Sequence, residues 1–167
     1  MKKLLLLLSV AAMAIGLAAC SSNSSDSSKK STNNTQTSSN TNIKKEMVRF
    51  YMSFTKGINA KDADLNAYEL ADKPDNTMKQ KASDSAAAVA NYLKNVQIPA
   101  SLKDQKTAFE TAIKDLADSY QAKADELKKA APSLVAANKT FAKGDDEFGN
   151  VFLTVKLLKP SLAKELN

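Results

Sequence analysis

The chain falls into three stretches that differ in how apolar and polar residues follow one another. Residues 4–16 are almost entirely apolar, residues 21–42 contain no apolar side chain, and residues 43–167 repeat apolar residues at intervals of three and four. The last pattern is typical of amphipathic helices that bury one face. We therefore expect a signal peptide over residues 1–19, a tether over residues 20–42 and a helical domain over residues 43–167.

The helical domain is predicted to be all-α, an antiparallel bundle of about four main helices. The first helix should end near Gly57–Asn59. After Asp62, a candidate N-cap, the same period continues, either as a short separate helix, which we favour, or as an extension of the first helix. The next should begin at Pro74-Asp75 and stop at Ile98-Pro99, because proline disfavours helical backbone in the residue before it. The apolar stripes of these helices are Ile43, Met47, Phe50, Phe54 and Ile58, then Leu65 and Tyr68, then Met78, Ala82, Ser85, Val89, Tyr92 and Val96.

A long helix is then predicted to open at Ser101, where Ser101-Leu102-Lys103-Asp104 approximates a capping box. The helix should end at Lys128-Lys129, because positive charge is favourable at the negative, C-terminal end of the helix dipole. Pro132 marks the turn that follows. The stripe of this helix is Phe109, Ile113, Leu116, Tyr120 and Leu127.

Gly144 is expected to interrupt the last region, so that Asp145-Asp146-Glu147 forms the acidic first turn of a renewed helix. Pro160 should separate a final short piece around Leu162 and Leu166. The apolar residues of this region are Leu134, Phe141, Phe148, Phe152, Val155 and Leu162.

The single cysteine of the chain lies where the apolar run gives way to the polar one. Lys2 and Lys3 precede that run, and the 16 residues from Leu4 to Ala19 fall short of the about 20 that cross a bilayer as a helix. Leu17-Ala18-Ala19-Cys20 resembles the lipobox of bacterial lipoproteins, in which an apolar residue and two small residues precede the cysteine. The resemblance implies cleavage before Cys20 and a diacylglyceryl group on its thiol. It covers residues 1–20 only and assigns the helical domain to no family.

Two other interpretations of Cys20 fit less well. An ordinary secretory cleavage would leave a free thiol, and a buried structural cysteine would need apolar surroundings. An exported chain with one cysteine has no internal disulfide partner, and the residues after Cys20 are too polar to bury it. The thiol is therefore interpreted as the acceptor of a lipid anchor.

The tether is dominated by three small polar residue types, since 18 of residues 21–42 are Ser, Thr or Asn. Such a segment cannot bury enough apolar surface to offset the entropy of ordering, so we expect it to be disordered. The predicted protein is held at the cell membrane, on its extracytoplasmic face. The long tether and the lysine-rich composition favour a Gram-positive surface over a periplasm.

Composition argues against an enzyme. The chain has no histidine and no second cysteine, which removes the usual general base, the Ser-His and Cys-His nucleophile pairs and the common zinc ligands. The carboxylate pairs Asp115 and Asp118, or Asp62 and Asp64, lie among lysines and are interpreted as solvated helix faces. No catalytic residue, metal or cofactor is predicted.

Charge and aromatic content leave two classes of function open. Loss of Lys2 and Lys3 with the leader lowers the formal charge from +6 to +4, with 22 basic and 18 acidic residues remaining. So mild a charge, spread over lysines, does not indicate a nucleic-acid partner. The first hypothesis is a binding or structural role toward a protein or a cell-wall polymer. The alternative is a carrier of an apolar small molecule or lipid, enclosed by Phe50, Phe54, Tyr92, Phe109, Phe141 and Phe152.

Overall fold

The computed structural model describes residues 34–166, which form six α-helices and no strand. The helices are α1 (Asn34–Asn59), α2 (Ala63–Leu70), α3 (Asn76–Lys94), α4 (Lys106–Glu126), α5 (Val135–Thr154) and α6 (Leu162–Glu165). Since α2 and α6 are short, the expected all-α bundle with four main helices is confirmed for these residues. The predicted signal peptide, the lipobox and residues 20–33 of the tether lie outside the described part.

The first helix buries the face that its apolar spacing predicts. Met47, Phe54 and Ile58 are at most 1% exposed. α1 ends at Asn59, as expected, but it begins at Asn34 and so includes the polar residues before Ile43. Once a helix has nucleated, each added residue gains a backbone hydrogen bond at little further cost, so a polar segment can continue it.

The ends of α2 and α3 agree only in part with the expected caps. Asp62 occupies the N-cap position of α2, but its side chain makes no capping hydrogen bond. Asp75 does cap α3, because the Met78 amide donates to its Oδ1 at 2.7 Å. α3 ends at Lys94, earlier than the predicted stop at Ile98-Pro99. Proline has no N–H to donate back to the helix, and the last turn tightens before it is reached.

The predicted start of the long helix at Ser101 is wrong. Ala100–Leu102 form a 3-10 helix, and α4 begins only at Lys106. The Leu102 amide donates to the Pro99 carbonyl at 2.9 Å, so a tight turn takes the place of a capping box. This turn leaves Leu102 0% exposed. Burial of a whole leucine side chain, worth about 1.5–3 kcal/mol, outweighs a cap of about 1 kcal/mol.

The predicted interruption at Gly144 is also wrong, because α5 runs without a break from Val135 to Thr154. Asp145-Asp146-Glu147 therefore lies in the middle of a helix. A Cβ atom at Gly144 would lie 2.9 Å from Leu116 Cγ and 3.1 Å from the Ala112 carbonyl oxygen. The glycine allows α4 and α5 to approach closely, which offsets the about 1 kcal/mol that glycine costs inside a helix.

After α5 the chain folds back, and Pro160 precedes a short final helix as predicted. Asp145 of α5 holds the start of α6, because the Leu162 amide donates to its Oδ1 at 2.6 Å and the Ser161 hydroxyl to its Oδ2 at 3.0 Å. A capping carboxylate is thus supplied by a different helix. We call residues 155–166, which include α6, the C-terminal segment.

The far end of the C-terminal segment is tied to the first two helices. The Asn59 side-chain amide donates to the Glu165 carbonyl at 3.2 Å, and that of Asn66 donates to the Leu166 carbonyl at 2.8 Å. Leu162 and Leu166 are 0% and 5% exposed, so they complete the core. α4 lies between α3 and α5 in this arrangement, and α2 packs on α3.

Candidate functional site

The predicted lipidation site cannot be placed in the fold. Cys20 and the preceding Leu17, Ala18 and Ala19 lie outside the described residues, so the lipobox stays a prediction. The chemistry that the structure does describe belongs to the helical domain. Asp62 and Lys123 are the two buried charged side chains there, at 2% and 7% exposure.

Lys123 lies on the inner stripe of α4 and makes an ion pair with α2. Its Nζ donates to Glu69 Oε1 at 2.7 Å, and it lies 5.6 Å from the ring centroids of both Tyr120 and Phe141. The ammonium group is thus neutralised on one side and faces aromatic rings on the other. The sequence carried a signal for this burial, since Lys123 falls between Tyr120 and Leu127 in the stripe.

Asp62 is buried at the corner between α1 and α2 without full hydrogen bonding. Its Oδ2 has no hydrogen-bond partner among the described residues. Burial raises the pKa of the Asp62 carboxyl, against the opposing effects of a hydrogen bond from Asn66 and the charge of Lys123. An N-cap position gave no sign of this burial, so sequence reasoning missed it.

The buried Lys123 forms an ion pair with Glu69 that joins α4 to α2. Burial raises the pKa of the Tyr120 hydroxyl, helped by the negative charges of Asp62 and Glu69, so this tyrosine stays protonated. Lys123 stays paired with Glu69. The Lys123–Glu69 ion pair therefore fixes how α2 packs against α4.

The carboxylate pairs singled out from the sequence do not form joint acid–base sites. Lys143 donates to Asp115 at 2.6 Å and lowers the pKa of that carboxyl, whereas Lys114 donates to Asp118 at 2.5 Å. Each carboxylate thus has its own lysine. Of the other pair, Asp62 is buried while the neighbouring aspartate on α2, at position 64, is exposed.

The acidic triplet in α5 is divided among three separate tasks. Asp145 caps α6, Asp146 accepts from Lys159 at 2.5 Å, and Glu147 lies 3.4 Å from Lys143. The Lys159 hydrogen bond lowers the pKa of the Asp146 carboxyl. Within residues 34–166 there is no group of three or more side chains suited to hold a metal ion.

The aromatic side chains pack on one another. Phe148 is central: its ring centroid lies 4.8 Å from that of Phe54, 5.0 Å from Phe109 and 5.9 Å from Phe152. Phe50 adds an edge contact with Phe109 at 5.1 Å. Separations of 4.5–7 Å are those of rings in direct contact. These rings are therefore in direct contact at the centre of the bundle.

Surface grooves lie between neighbouring helices. The groove between α3 and α4 has a volume of about 330 Å³ and an apolar floor that includes Leu93, Ile98 and Ile113. Its polar rim is Lys94, Glu110, Lys114 and Asp118. A second groove, between α1 and α3, has a volume of about 380 Å³ and is lined in part by Arg49 and Tyr92. Both are open to solvent.

Comparison of the chain with protein-family models, with curated proteins and with solved structures gives no match. The helices described between residues 34 and 166 include none that is long and apolar enough to span a membrane. Function must therefore be argued from the chain's own residues.

Proposed function

We propose that the chain is a membrane-anchored extracytoplasmic lipoprotein whose helical domain acts by binding or structural support and not by catalysis. The observation that carries the anchor is the motif Leu17-Ala18-Ala19-Cys20 behind a short apolar run. One acyl chain binds a membrane reversibly, whereas two or more hold a protein stably. The anchor places the domain at the extracytoplasmic face of the cell membrane.

The packing of the domain supports a binding or structural role over the carrier alternative. Phe109 and Phe148 are 0% exposed and contact each other, so the aromatic centre is filled by its own rings. Surface carboxylates such as Asp115, Asp118 and Asp146 each have a lysine partner. The surfaces that we assign to partner binding are the open grooves and the mildly basic exterior, which suit a protein or an anionic cell-wall polymer.

The anchor is tested with Cys20→Ala and, as a matched control, Ser21→Ala, both expressed in full length in a bacterial host. Wild type and Ser21→Ala should float with membranes and carry acyl mass on an N-terminal residue 20. Cys20→Ala should lose the acyl mass and retain its leader. Equal membrane binding by Cys20→Ala, together with wild type that carries no acyl mass, would contradict the proposal.

The carrier alternative is tested separately by native mass spectrometry of protein released gently from membranes. A binding or structural protein should show the mass of the acylated chain alone. A second molecule retained inside the bundle, in fixed proportion and lost on unfolding, would favour the carrier instead.

A further inference from the structure

Most of the large apolar side chains that the described domain exposes lie along one seam. Six such residues are exposed, and four of them are Val48, Met52, Leu153 and Leu158, at 44%, 64%, 52% and 92%. We call these four residues the seam patch. The other two, Leu70 and Val135, lie at the end of α2 and at the start of α5. Large exposed apolar patches mark contact surfaces in soluble domains.

Two residues of the seam patch lie on the flank of α1 that faces α5. The Tyr51 ring lies 5.8 Å from that of Phe152 in α5, which identifies this flank. At about 100° per residue, Val48 lies about 60° and Met52 about 100° from Tyr51, both turned away from the core residue Phe54. Val48 is therefore at the outer edge where α1 meets α5, and Met52, about 160° from Phe54, lies beside it on the solvent face of α1.

The other two residues of the seam patch reach the same edge from α5 and the C-terminal segment. Leu153 lies one turn after Gly149, about 40° around the helix. The C-terminal segment crosses α5 at Gly149, where a Cβ atom would lie 2.8 Å from Lys159 Cγ and 2.8 Å from the Pro160 carbonyl oxygen. Leu158 immediately precedes this crossing, so both leucines border it.

Lysines flank the seam patch. Lys45 and Lys56 lie about 20° and 40° from Met52 around α1, and Lys156 lies two residues before Leu158. All three are exposed and make no ion pair within the described part of the chain. Of the nearby carboxylates, Asp145 caps α6 and Asp146 accepts from Lys159. Glu165 is exposed, and its charge adds to burial in raising the pKa of Tyr51, so it also lies near this flank. The seam thus combines apolar side chains with three lysines and one exposed glutamate, which leaves an excess of positive charge.

We propose that the seam patch docks the domain onto the anionic surface of the bilayer that holds it. Lysine is depleted at protein–protein interfaces but is attracted to anionic headgroups, which favours the bilayer over a protein partner. This inference rests on the proposed anchor at Cys20, because the tether sets the reach. Residues 20–33 span at most about 45 Å when extended, so α1 begins close enough to lie on the membrane.

The chain contains no tryptophan, so one introduced tryptophan is the sole indole reporter. Leu158→Trp labels the seam patch, and Leu70→Trp, at a native side chain that is 79% exposed, is the matched control. The purified full-length lipoprotein is placed in vesicles of phosphatidylglycerol and phosphatidylcholine with brominated acyl chains. Emission at position 158 should shift to the blue and be quenched severalfold more than emission at position 70.

The lysines are tested by the triple substitution Lys45→Glu, Lys56→Glu and Lys156→Glu, introduced together with Leu158→Trp. Each lysine near an anionic surface contributes about fivefold to membrane affinity. The triple variant, and wild-type lysines on phosphatidylcholine alone, should therefore lose most of the extra quenching. Circular dichroism confirms that the variants remain folded.

The outcomes separate failure of the docking surface from failure of the anchor. Flotation with acyl mass, but equal quenching at positions 158 and 70, overturns the inference and leaves the anchor intact. Absence of acyl mass overturns the anchor. In that case the chain from residue 20 is held on vesicles by a terminal His tag and a chelating lipid, and quenching at positions 158 and 70 is compared again. Cross-linked dimers or a protein that shields position 158 from lipid also overturn the inference.

Discussion

Replacement of the buried Asp62 by asparagine should stabilise the domain at neutral pH and not at acidic pH. Asp62 is 2% exposed, and none of the described residues donates a hydrogen bond to its Oδ2. A buried, unsatisfied polar group costs about 1–3 kcal/mol, and more when it is charged. The hydrogen bond from Asn66 and the charge of Lys123 offset part of this cost. We expect Asp62→Asn to gain about 1 kcal/mol at pH 7, or about 4 °C in Tm for a domain of this size.

The sign of the pH dependence follows from the raised pKa of Asp62. Below the ordinary aspartate pKa of about 3.9, the carboxyl is protonated in both the folded and the unfolded chain, so it has no effect on the pH dependence. Between that value and the raised pKa of the folded state, the folded chain holds more protons and its stability falls as pH rises. Above the raised pKa the penalty is constant. Asparagine lacks this penalty at every pH.

Urea unfolding at pH 3.5 and pH 7, followed by circular dichroism, measures the difference in unfolding free energy between Asp62→Asn and wild type. The difference should be larger at pH 7 than at pH 3.5. Asp72→Asn, in the exposed connection between α2 and α3, is the control and should show little change at either pH. A variant less stable than wild type at pH 7 would refute the reasoning, because it would mean that the charged carboxylate is well compensated.

Four further substitutions test three other contacts by the same unfolding assay or by hydrogen exchange. Gly144→Ala places a methyl group 2.9 Å from Leu116 Cγ and should cost about 1–3 kcal/mol of unfolding free energy. An unchanged urea midpoint would show that the contact between α4 and α5 can accommodate the methyl group. Glu69→Gln removes the carboxylate that pairs with the buried Lys123 and should cost about 3 kcal/mol, whereas Lys123→Met leaves a hydrated Glu69 and should stay within about 1 kcal/mol of wild type; the opposite order would reject the assigned burial. Asp145→Ala should cost about 1–2 kcal/mol and speed amide exchange at the start of α6, and slow exchange there would show that another group holds the helix.

The buried faces of the main helices could be predicted because burial imposes a period on the sequence. Phe109, Leu116 and Tyr120 were expected to face inward from their spacing, and each is at most 4% exposed. The start of α3 was expected at Pro74-Asp75, and the Asp75 side chain does cap that helix. Local pattern and tertiary packing agree at these residues.

The features that sequence reasoning missed depend on contacts between distant residues. The capping-box pattern at Ser101 loses to a 3-10 turn that buries Leu102. Gly144 was expected to break a helix, but its lack of a Cβ serves the contact with Leu116. Asp145 caps a helix 17 residues further along the chain. Such pairings have no local signature, since the tertiary structure alone brings the partners together.

The C-terminal segment has a consequence for the timing of folding. Leu162 and Leu166 follow every other core residue in the chain, and the Asn59 side chain binds the Glu165 carbonyl across 106 positions. Contacts between distant residues form slowly, because the loop between them must close first. A chain that emerges N-terminus first therefore has all of α1 to α5 exposed before its core can be completed. The bundle can therefore close only after translation or export has passed residue 166.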